Sequence, residues 1–116
     1  MDVIQFFKCL SEHNRLTSVV LIKHAGEACV CEIQQALNLD QPKTSQYLAQ
    51  LRKCGIVDSE RRGKWVYYRL SAKLPQWALQ VIEQTIEHNS ALFAQALTAF
   101  EQIQQNSNGC NDDSNR

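Results

Sequence analysis

Residues 38–51 read NLDQPKTSQYLAQL, and this stretch decides the fold. Asp40 can cap a helix with its carboxylate, and Pro42 then lies in the first turn, where a missing backbone N–H is tolerated. One side of that helix can pack inward: Thr44, Leu48 and Leu51. The other side follows the i, i+3, i+4, i+7 spacing and carries long hydrogen-bonding side chains without an acid: Lys43, Gln46, Tyr47 and Gln50. Such a face can read base edges in the major groove of DNA.

Three helices are predicted before this one. Apolar spacing predicts helices over residues 3–10 and 15–23, and Gly26 can close the second with a left-handed cap. A third helix is predicted with Cys29 on its inward stripe, and the short connection 38–40 leads into the fourth. Two short helices joined so tightly are typical of a helix-turn-helix.

A change of period after residue 55 predicts a β-hairpin. Residues 65–70, WVYYRL, are rich in aromatic and β-branched side chains, and Arg62-Gly63-Lys64 forms a basic tip before them. The chain is therefore predicted to be mainly α with a β-hairpin, in a winged helix-turn-helix. The basic tip would lie along the DNA backbone or enter the minor groove.

The charge distribution also favours a nucleic-acid partner. The formal net charge is zero, but residues 41–70 contain seven basic and two acidic side chains, so this segment carries +5 and the remainder −5. Such an asymmetry indicates a polyanion-binding face on an acidic body. We expect double-stranded DNA to contact this set: Gln41, Lys43, Thr44, Ser45, Gln46, Tyr47, Gln50, Arg61, Arg62 and Lys64.

The terminal helices are predicted to form a homodimer. One long helix is expected after Pro75, with an apolar stripe broader than a small core can cover. The first helix should share the interface, which is predicted to include Ile4, Phe7, Val81, Ile86, Phe93 and Leu97. Residues 1–104 would then form one DNA-binding and dimerisation domain, and the polar residues 105–116 a disordered tail.

Composition narrows the class of protein. A chain of 116 residues suits one domain, and its longest aliphatic run, residues 19–22, is too short to span a membrane. Because no secretion signal is visible, we expect a cytoplasmic protein whose five cysteines are reduced. No nucleophile, base and orienting group recur at interpretable spacing, so an enzyme is not expected.

Two cysteines flank one residue in the stretch Cys29-Val30-Cys31. On an ideal helix their side chains lie roughly 200° apart, so both sulfurs could not meet one ion while that turn stays helical. Spacing alone leaves two interpretations open. Cys29 can be a small core residue, or the pair can be a soft-metal site.

Four stretches resemble the ArsR/SmtB family of winged-helix, metal-responsive repressors. They are CLSEHNRL at 9–16, CVCEI at 29–33, QPKTSQYL at 41–48 and GKWVYYRL at 63–70. The resemblance implies a homodimer on an operator upstream of resistance genes, without a catalytic cofactor. It also implies release by trivalent arsenic or antimony. If Cys29 and Cys31 are the ligands, the helical geometry predicts that binding unwinds the first turn of their helix.

One departure from the family pattern leaves the third ligand open. Repressors of this type often have a third cysteine where this chain has Gln34. Hydroxide, a small cellular thiol or Cys110 could complete the site. A zinc- or cadmium-responsive repressor and a thiol-redox repressor of the same fold stay open as alternatives, although Glu83, Glu87 and His88 depart from the spacing of the family's long-helix zinc site.

Overall fold

The computed structural model describes residues 1–107. Its elements are α1 (Val3–Leu10), α2 (His13–Ala25), β1 (Ala28–Cys29), α3 (Val30–Leu37), α4 (Gln41–Lys53), β2 (Val57–Arg62), β3 (Trp65–Leu70), α5 (Gln76–Glu87) and α6 (Ser90–Ser107). The predicted fold class, mainly helical with a β-hairpin after the helix-turn-helix, is confirmed.

The helix-turn-helix consists of α3 and α4. Asn38 ends α3 in the left-handed conformation, with φ of 56°. The Asp40 carboxylate accepts a hydrogen bond of 2.7 Å from the backbone N–H of Lys43, as the predicted cap requires. Leu48 and Leu51 are fully buried, so α4 rests on the core by the side that its sequence predicts.

The wing is a three-stranded antiparallel sheet in the order β1-β3-β2. Strands β2 and β3 pair from Val57 opposite Leu70 to Arg62 opposite Trp65. Gly63 has a φ of +63°, which a two-residue hairpin turn favours and which glycine adopts without strain. The strand β1 was not predicted. It pairs Cys29 with Tyr67 and so ties the cysteine segment to the wing.

One apolar core holds these parts together. All six helices and the hairpin contribute to it, and its large buried side chains include Phe6, Val19, Leu21, Ile22, Ile33, Leu48, Leu51, Ile56, Val57, Ile82 and Phe100. Each such side chain contributes about 1.5–3 kcal/mol by leaving water. The core thereby sets α3, α4 and the wing in fixed relative positions.

The prediction of a single long helix after Pro75 is wrong. Helix α5 ends at Glu87 and α6 begins at Ser90. Between them the Asn89 side chain donates 2.9 Å to the carbonyl of Thr85, while the Asn89 carbonyl accepts from the N–H of Leu92 at 3.0 Å. An asparagine that takes up a helix carbonyl in this way competes with helix propagation, which explains the break.

The carboxyl-terminal boundary also differs from the prediction. Helix α6 continues to Ser107, so residues 105–107, predicted as tail, are helical. The rest of that predicted tail, including Cys110, lies outside the described residues. No helix in the described part of the chain has the length and apolar character needed to cross a membrane.

Candidate nucleic-acid interface and cysteine site

The outward side of α4 presents the polar face that the sequence predicts. Lys43, Gln46 and Gln50 are exposed. Tyr47 is half-buried, and its hydroxyl lies 3.5 Å from the side-chain amide of Asn14, which donates to it. Tyr47 therefore contacts α2. The exposed side chains on this face are one lysine and two glutamines, which are suited to base edges and phosphates.

The other predicted DNA contacts, at the start of α4, differ in their exposure. The Gln41 amide donates 2.9 Å to the Ser45 hydroxyl, and this pair lies on the outer side of the helix. Thr44 is different, because it is only 1% exposed and its hydroxyl donates 2.8 Å to the Asp40 carbonyl. Thr44 therefore has no surface for DNA and supports the start of α4 from inside.

The wing tip carries three exposed basic side chains: Arg61, Arg62 and Lys64. Arg61 donates through Nε to the carbonyl of Gly63 at 3.1 Å, and the Lys64 ammonium lies 6.0 Å from the centre of the Trp65 ring. Within residues 1–107, neither Arg61 nor Lys64 forms an ion pair with a carboxylate. Their charges are thus available to phosphates.

Arg62, predicted as a third DNA contact at the tip, is instead held by carboxylates. Its guanidinium donates to both oxygens of Glu27 at 2.7 Å and to Glu60 at 2.9 Å, and it stacks over the Tyr67 ring at 4.5 Å. Arg69 donates to the same Glu60 oxygen at 2.9 Å. A bidentate pair is the strongest geometry that arginine offers a carboxylate. Arg62 therefore binds the wing to the segment just before Cys29.

The same contacts change the acidity of the two glutamates. The hydrogen bonds from Arg62 lower the pKa of Glu27 below its usual value, and those from Arg62 and then Arg69 do so for Glu60. Because a lowered pKa favours the charged form, the clamp is complete above the ordinary glutamate pKa of about 4.3 and weakens as the pH falls through the lowered values.

The two cysteine sulfurs lie 3.9 Å apart. The prediction that an intact helix keeps them on opposite sides is wrong, because Cys29 is the N-cap of α3 and not part of its first turn. Its backbone is extended, with φ of −78° and ψ of 149°, while Cys31 lies inside the helix. The Glu32 carboxylate accepts 2.9 Å from the N–H of Cys29 and closes this helix start. The bend at the cap turns both side chains to one side.

The two cysteines differ in how deeply they are buried. Cys29 is 2% exposed and Cys31 is half-buried. Burial raises the pKa of the Cys29 thiol above its usual value, and the backbone N–H of Cys31 opposes that shift. A raised pKa keeps Cys29 protonated at neutral pH, so an ion that binds it must displace the proton.

A small cleft connects the cysteines to both candidate DNA-binding elements. Its volume is about 210 Å³. Residues of three elements line it: Cys29 and Cys31 at the start of α3, Gln41 and Ser45 at the start of α4, and Lys64 and Trp65 at the wing tip. A ligand that fills this cleft would therefore contact the cysteines, the first turns of α4 and the wing tip together.

The described residues do not complete a metal site on their own. No group of three or more histidine, cysteine or acidic side chains is arranged to hold an ion anywhere in residues 1–107. Cys110, one of the three candidates for the third ligand, lies outside that range. Cys9 and Cys54 do not line the cleft, and the Cys9 thiol donates a hydrogen bond to the Gln50 carbonyl at 3.6 Å.

The predicted dimer residues divide into exposed and buried sets. Ile4 and Phe7 on α1 are 61% and 50% exposed, so a partner chain could cover both side chains. Three more are half-buried against the core: Val81, Ile86 and Leu97. Phe93 has no exposed surface in a single chain, so it belongs to the protomer's own interior.

Sequence reasoning missed Glu27 and Trp65 as parts of the site. Nothing in the local sequence pairs Glu27 with Arg62, which is 35 residues away. Trp65 was predicted only as part of the β-hairpin, yet it lines the cleft beside the cysteines. One sequence signal could have indicated the strand β1. Ala28 and Cys29 lie between Gly26, which closes α2, and the start of α3, where a short extended segment fits.

Comparisons with known proteins show that the sequence is similar to bacterial regulators. The family model described as "Bacterial regulatory protein, arsR family" matches residues 15–59. The arsenic resistance transcriptional regulator ArsR1 of Pseudomonas putida is 47% identical over 83 residues, which are 72% of this chain and 65% of that protein. The arsenical resistance operon repressor of Escherichia coli K12 is 46% identical over 81 residues, which are 70% of this chain and 69% of that protein.

A solved structure shares the arrangement of the elements. The transcriptional repressor BigR from Xylella fastidiosa is 34% identical, with a TM-score of 0.65, and the match covers 77% of this chain and 84% of that one. The aligned part of this chain thus spans about two thirds of the length of the two curated relatives and most of the solved structure.

Proposed function

This chain belongs to the ArsR family of bacterial regulatory proteins, and from that membership we propose that it is a metalloid-responsive transcriptional repressor. It binds operator DNA as a homodimer in the cytoplasm. Trivalent arsenic or antimony binds Cys29 and Cys31 and releases the protein from its operator. No catalytic activity is part of this proposal.

The observation that carries the proposal is the position of the cysteine pair. Its sulfurs, 3.9 Å apart, open into a cleft that α4 and the wing tip also line. Both elements are the ones expected to contact DNA, α4 in the major groove and the wing along the backbone. A ligand in the cleft can therefore affect α4 and the wing tip directly, because both elements line the cleft.

The donor pair fits a soft ion. With a thiolate–metal bond of about 2.3 Å, two sulfurs 3.9 Å apart can share one ion at an angle of about 116°. Thiolate is the softest ligand that a protein offers, and trivalent arsenic and antimony favour it. Because the sulfurs already lie on one side, the helix does not have to unwind before both can bind.

Coupling to DNA is supported by what Cys29 holds in place. Its backbone pairs with Tyr67 of β3, and the adjacent Glu27 grips Arg62 of β2. Cys31 belongs to α3, which braces α4. A shift of either cysteine towards a shared ion displaces the wing, α3 or both from the DNA-binding arrangement. Differential stability of two such states is what allostery requires, commonly about 1–3 kcal/mol, or about 5–150-fold in affinity.

Two other inducers remain as alternatives on the same fold. A tetrahedral zinc or cadmium site would need two further ligands besides the pair. A redox response would need the cysteines to be oxidised, and the raised pKa of Cys29 makes that thiol a poor first target. The metalloid is preferred because two soft donors and one further ligand satisfy it.

The test is operator release measured by fluorescence anisotropy of labelled duplex in reducing buffer. Arsenite should weaken binding of the unaltered protein about 5–150-fold. The variants Cys29→Ser and Cys31→Ser should bind the operator but stay on it when arsenite is added. Cys54→Ser is the matched control, because Cys54 ends α4 away from the cleft, and it should respond normally.

The outcomes separate the inducers. If Cys29→Ser and Cys31→Ser were released at the arsenite concentration that releases the unaltered protein, the sensing site would lie elsewhere. Release by zinc or cadmium, with arsenite inert, would favour the metal-ion alternative. Release by peroxide that a thiol reductant reverses would favour the redox alternative.

A further inference from the structure

The cleft beside the cysteine pair carries polar groups that the sulfur ligands do not use. The side chains of Gln41, Ser45 and Lys64 all line it, and among residues 1–107 no acidic side chain does. Its volume of about 210 Å³ is below the roughly 300–1,000 Å³ of drug-sized sites, so it suits a ligand of few non-hydrogen atoms. The lining favours a small anion or a small molecule with an anionic group.

A third ligand is the component that the described residues do not provide. The sulfur pair supplies two donors, and no larger group of metal-binding side chains occurs within residues 1–107. Gln34 stands where the family often has a third cysteine. An amide is a hard donor and a poor substitute for thiolate towards a soft ion.

Resting on the proposed function, we propose that a small thiol bearing a carboxylate, such as free cysteine, completes the metalloid site from the cleft. Its sulfur forms a bond to the arsenic that the two protein sulfurs hold. The hydroxyl group that arsenic carried leaves with the thiol proton as water. No electron is transferred, and the arsenic stays trivalent.

The carboxylate has donors available in the same cleft. Lys64 is exposed and forms no ion pair within the described residues, so its ammonium can meet an anion. The Trp65 Nε1–H is buried and lacks an acceptor anywhere in the described part of the chain, although Trp65 lines the cleft. An unpaired buried donor costs free energy, which a carboxylate oxygen can recover after a small side-chain shift.

This assignment also gives the co-ligand a consequence for DNA. Lys64 is one of the two basic side chains at the wing tip that remain available for phosphates. A carboxylate bound to its ammonium neutralises that charge while the metalloid is bound. The small thiol would therefore assist release as well as binding.

The experiment uses the full chain with Cys110→Ser, kept reduced by a phosphine, in the absence of DNA. Arsenite binding is measured by equilibrium dialysis with three additives. L-cysteine has both a thiol and a carboxylate, cysteamine has the thiol without the carboxylate, and L-serine has the carboxylate without the thiol. At ten times its own dissociation constant, cysteine should raise the arsenite affinity about elevenfold, and serine should have no effect.

The role of Lys64 is read from the difference between the two thiols. An exposed ion pair contributes at most about a fivefold change, so cysteine should outperform cysteamine by about two- to fivefold. Lys64→Gln should abolish that difference while leaving the cysteamine effect in place. Arsenic X-ray absorption should find three sulfur neighbours when cysteine is present and two sulfurs with one oxygen when it is absent.

Several results would overturn the proposal. They are two sulfurs and one oxygen with cysteine present, equal effects of serine and cysteine, or a third sulfur in the Cys110-containing chain without any added thiol. The last result would assign the position to the tail. If Cys29→Ser and Cys31→Ser kept the unaltered arsenite affinity, the proposed function itself would fail, which distinguishes the two failures.

Discussion

Replacing Lys64 with glutamine should reduce the number of DNA phosphates that the wing neutralises, whereas replacing Arg62 should not. Lys64 is exposed at the tip and unpaired with any carboxylate in residues 1–107. Arg62 is already held by Glu27 and Glu60 at 2.7–2.9 Å. This reverses the sequence-based expectation that Arg62 contacts the backbone. The matched control is the double variant Glu27→Gln/Arg62→Gln, which keeps the net charge of the chain.

The magnitude follows from counterion release. Each phosphate contact contributes about −0.9 to the slope of log affinity against log salt, and a homodimer presents two wings. Lys64→Gln should therefore make the slope less steep by about 1.8. Between about 50 and about 200 mM salt, the affinity of the unaltered protein should fall about twelvefold more than that of the variant. The double variant should keep the original slope.

The assay is anisotropy of a labelled operator duplex across a salt series, with sedimentation to verify that each variant is a folded dimer. An affinity loss that is uniform across DNA sequences is expected for Lys64→Gln, because phosphates carry no sequence information. If the double variant instead flattened the slope by about 1.8 and Lys64→Gln left it unchanged, Arg62 would leave its carboxylates on DNA. The ion-pair reasoning would then be refuted.

Three further perturbations test other parts of the structure. Phe7→Glu should give monomers in sedimentation at micromolar concentration, because it places a charge on the exposed apolar side of α1; a persistent dimer would exclude α1 from the interface. Phe93→Ala should lower the free energy of unfolding in urea by about 3–5 kcal/mol, since this ring is fully buried in one chain, and an unchanged midpoint would contradict its interior position. Arsenite affinity should vary little between about pH 6 and 8, because the hydroxyls of arsenite leave as water with the thiol protons. Zinc instead releases one proton for each thiol that it binds, the Cys29 proton among them, and should bind about tenfold more tightly per pH unit for each such thiol. Equal pH slopes for both inducers would show that Cys29 is not a shared ligand.

Local sequence signals determined the DNA-binding half of the molecule. The Asp40 cap, the inward Leu48 and Leu51, and the hairpin turn at Gly63 all follow from side chains a few residues apart. Capping, helical period and turn chemistry act over short distances, so a single sequence is enough to read them. The outward face with Lys43 was predicted on the same basis.

The cysteine geometry shows where local reasoning stops. Extending α3 by one residue to include Cys29 placed the sulfurs on opposite sides, whereas the structure makes Cys29 the cap and brings them to 3.9 Å. Helix boundaries are uncertain by a residue or two from sequence, and one residue changes a side-chain direction completely. What fixes this cap is the pairing of Cys29 with Tyr67, 38 positions away along the printed chain.

Tertiary structure alone decided which charges and rings are available. The Glu27–Arg62 clamp, the burial of Phe93 and the cleft between α3, α4 and the wing all join segments far apart in the chain. Composition correctly located the basic segment but could not tell which of its cations a distant carboxylate would neutralise. Ion pairing and burial depend on distances in space, and only the packed core brings these residues within a few ångströms of one another.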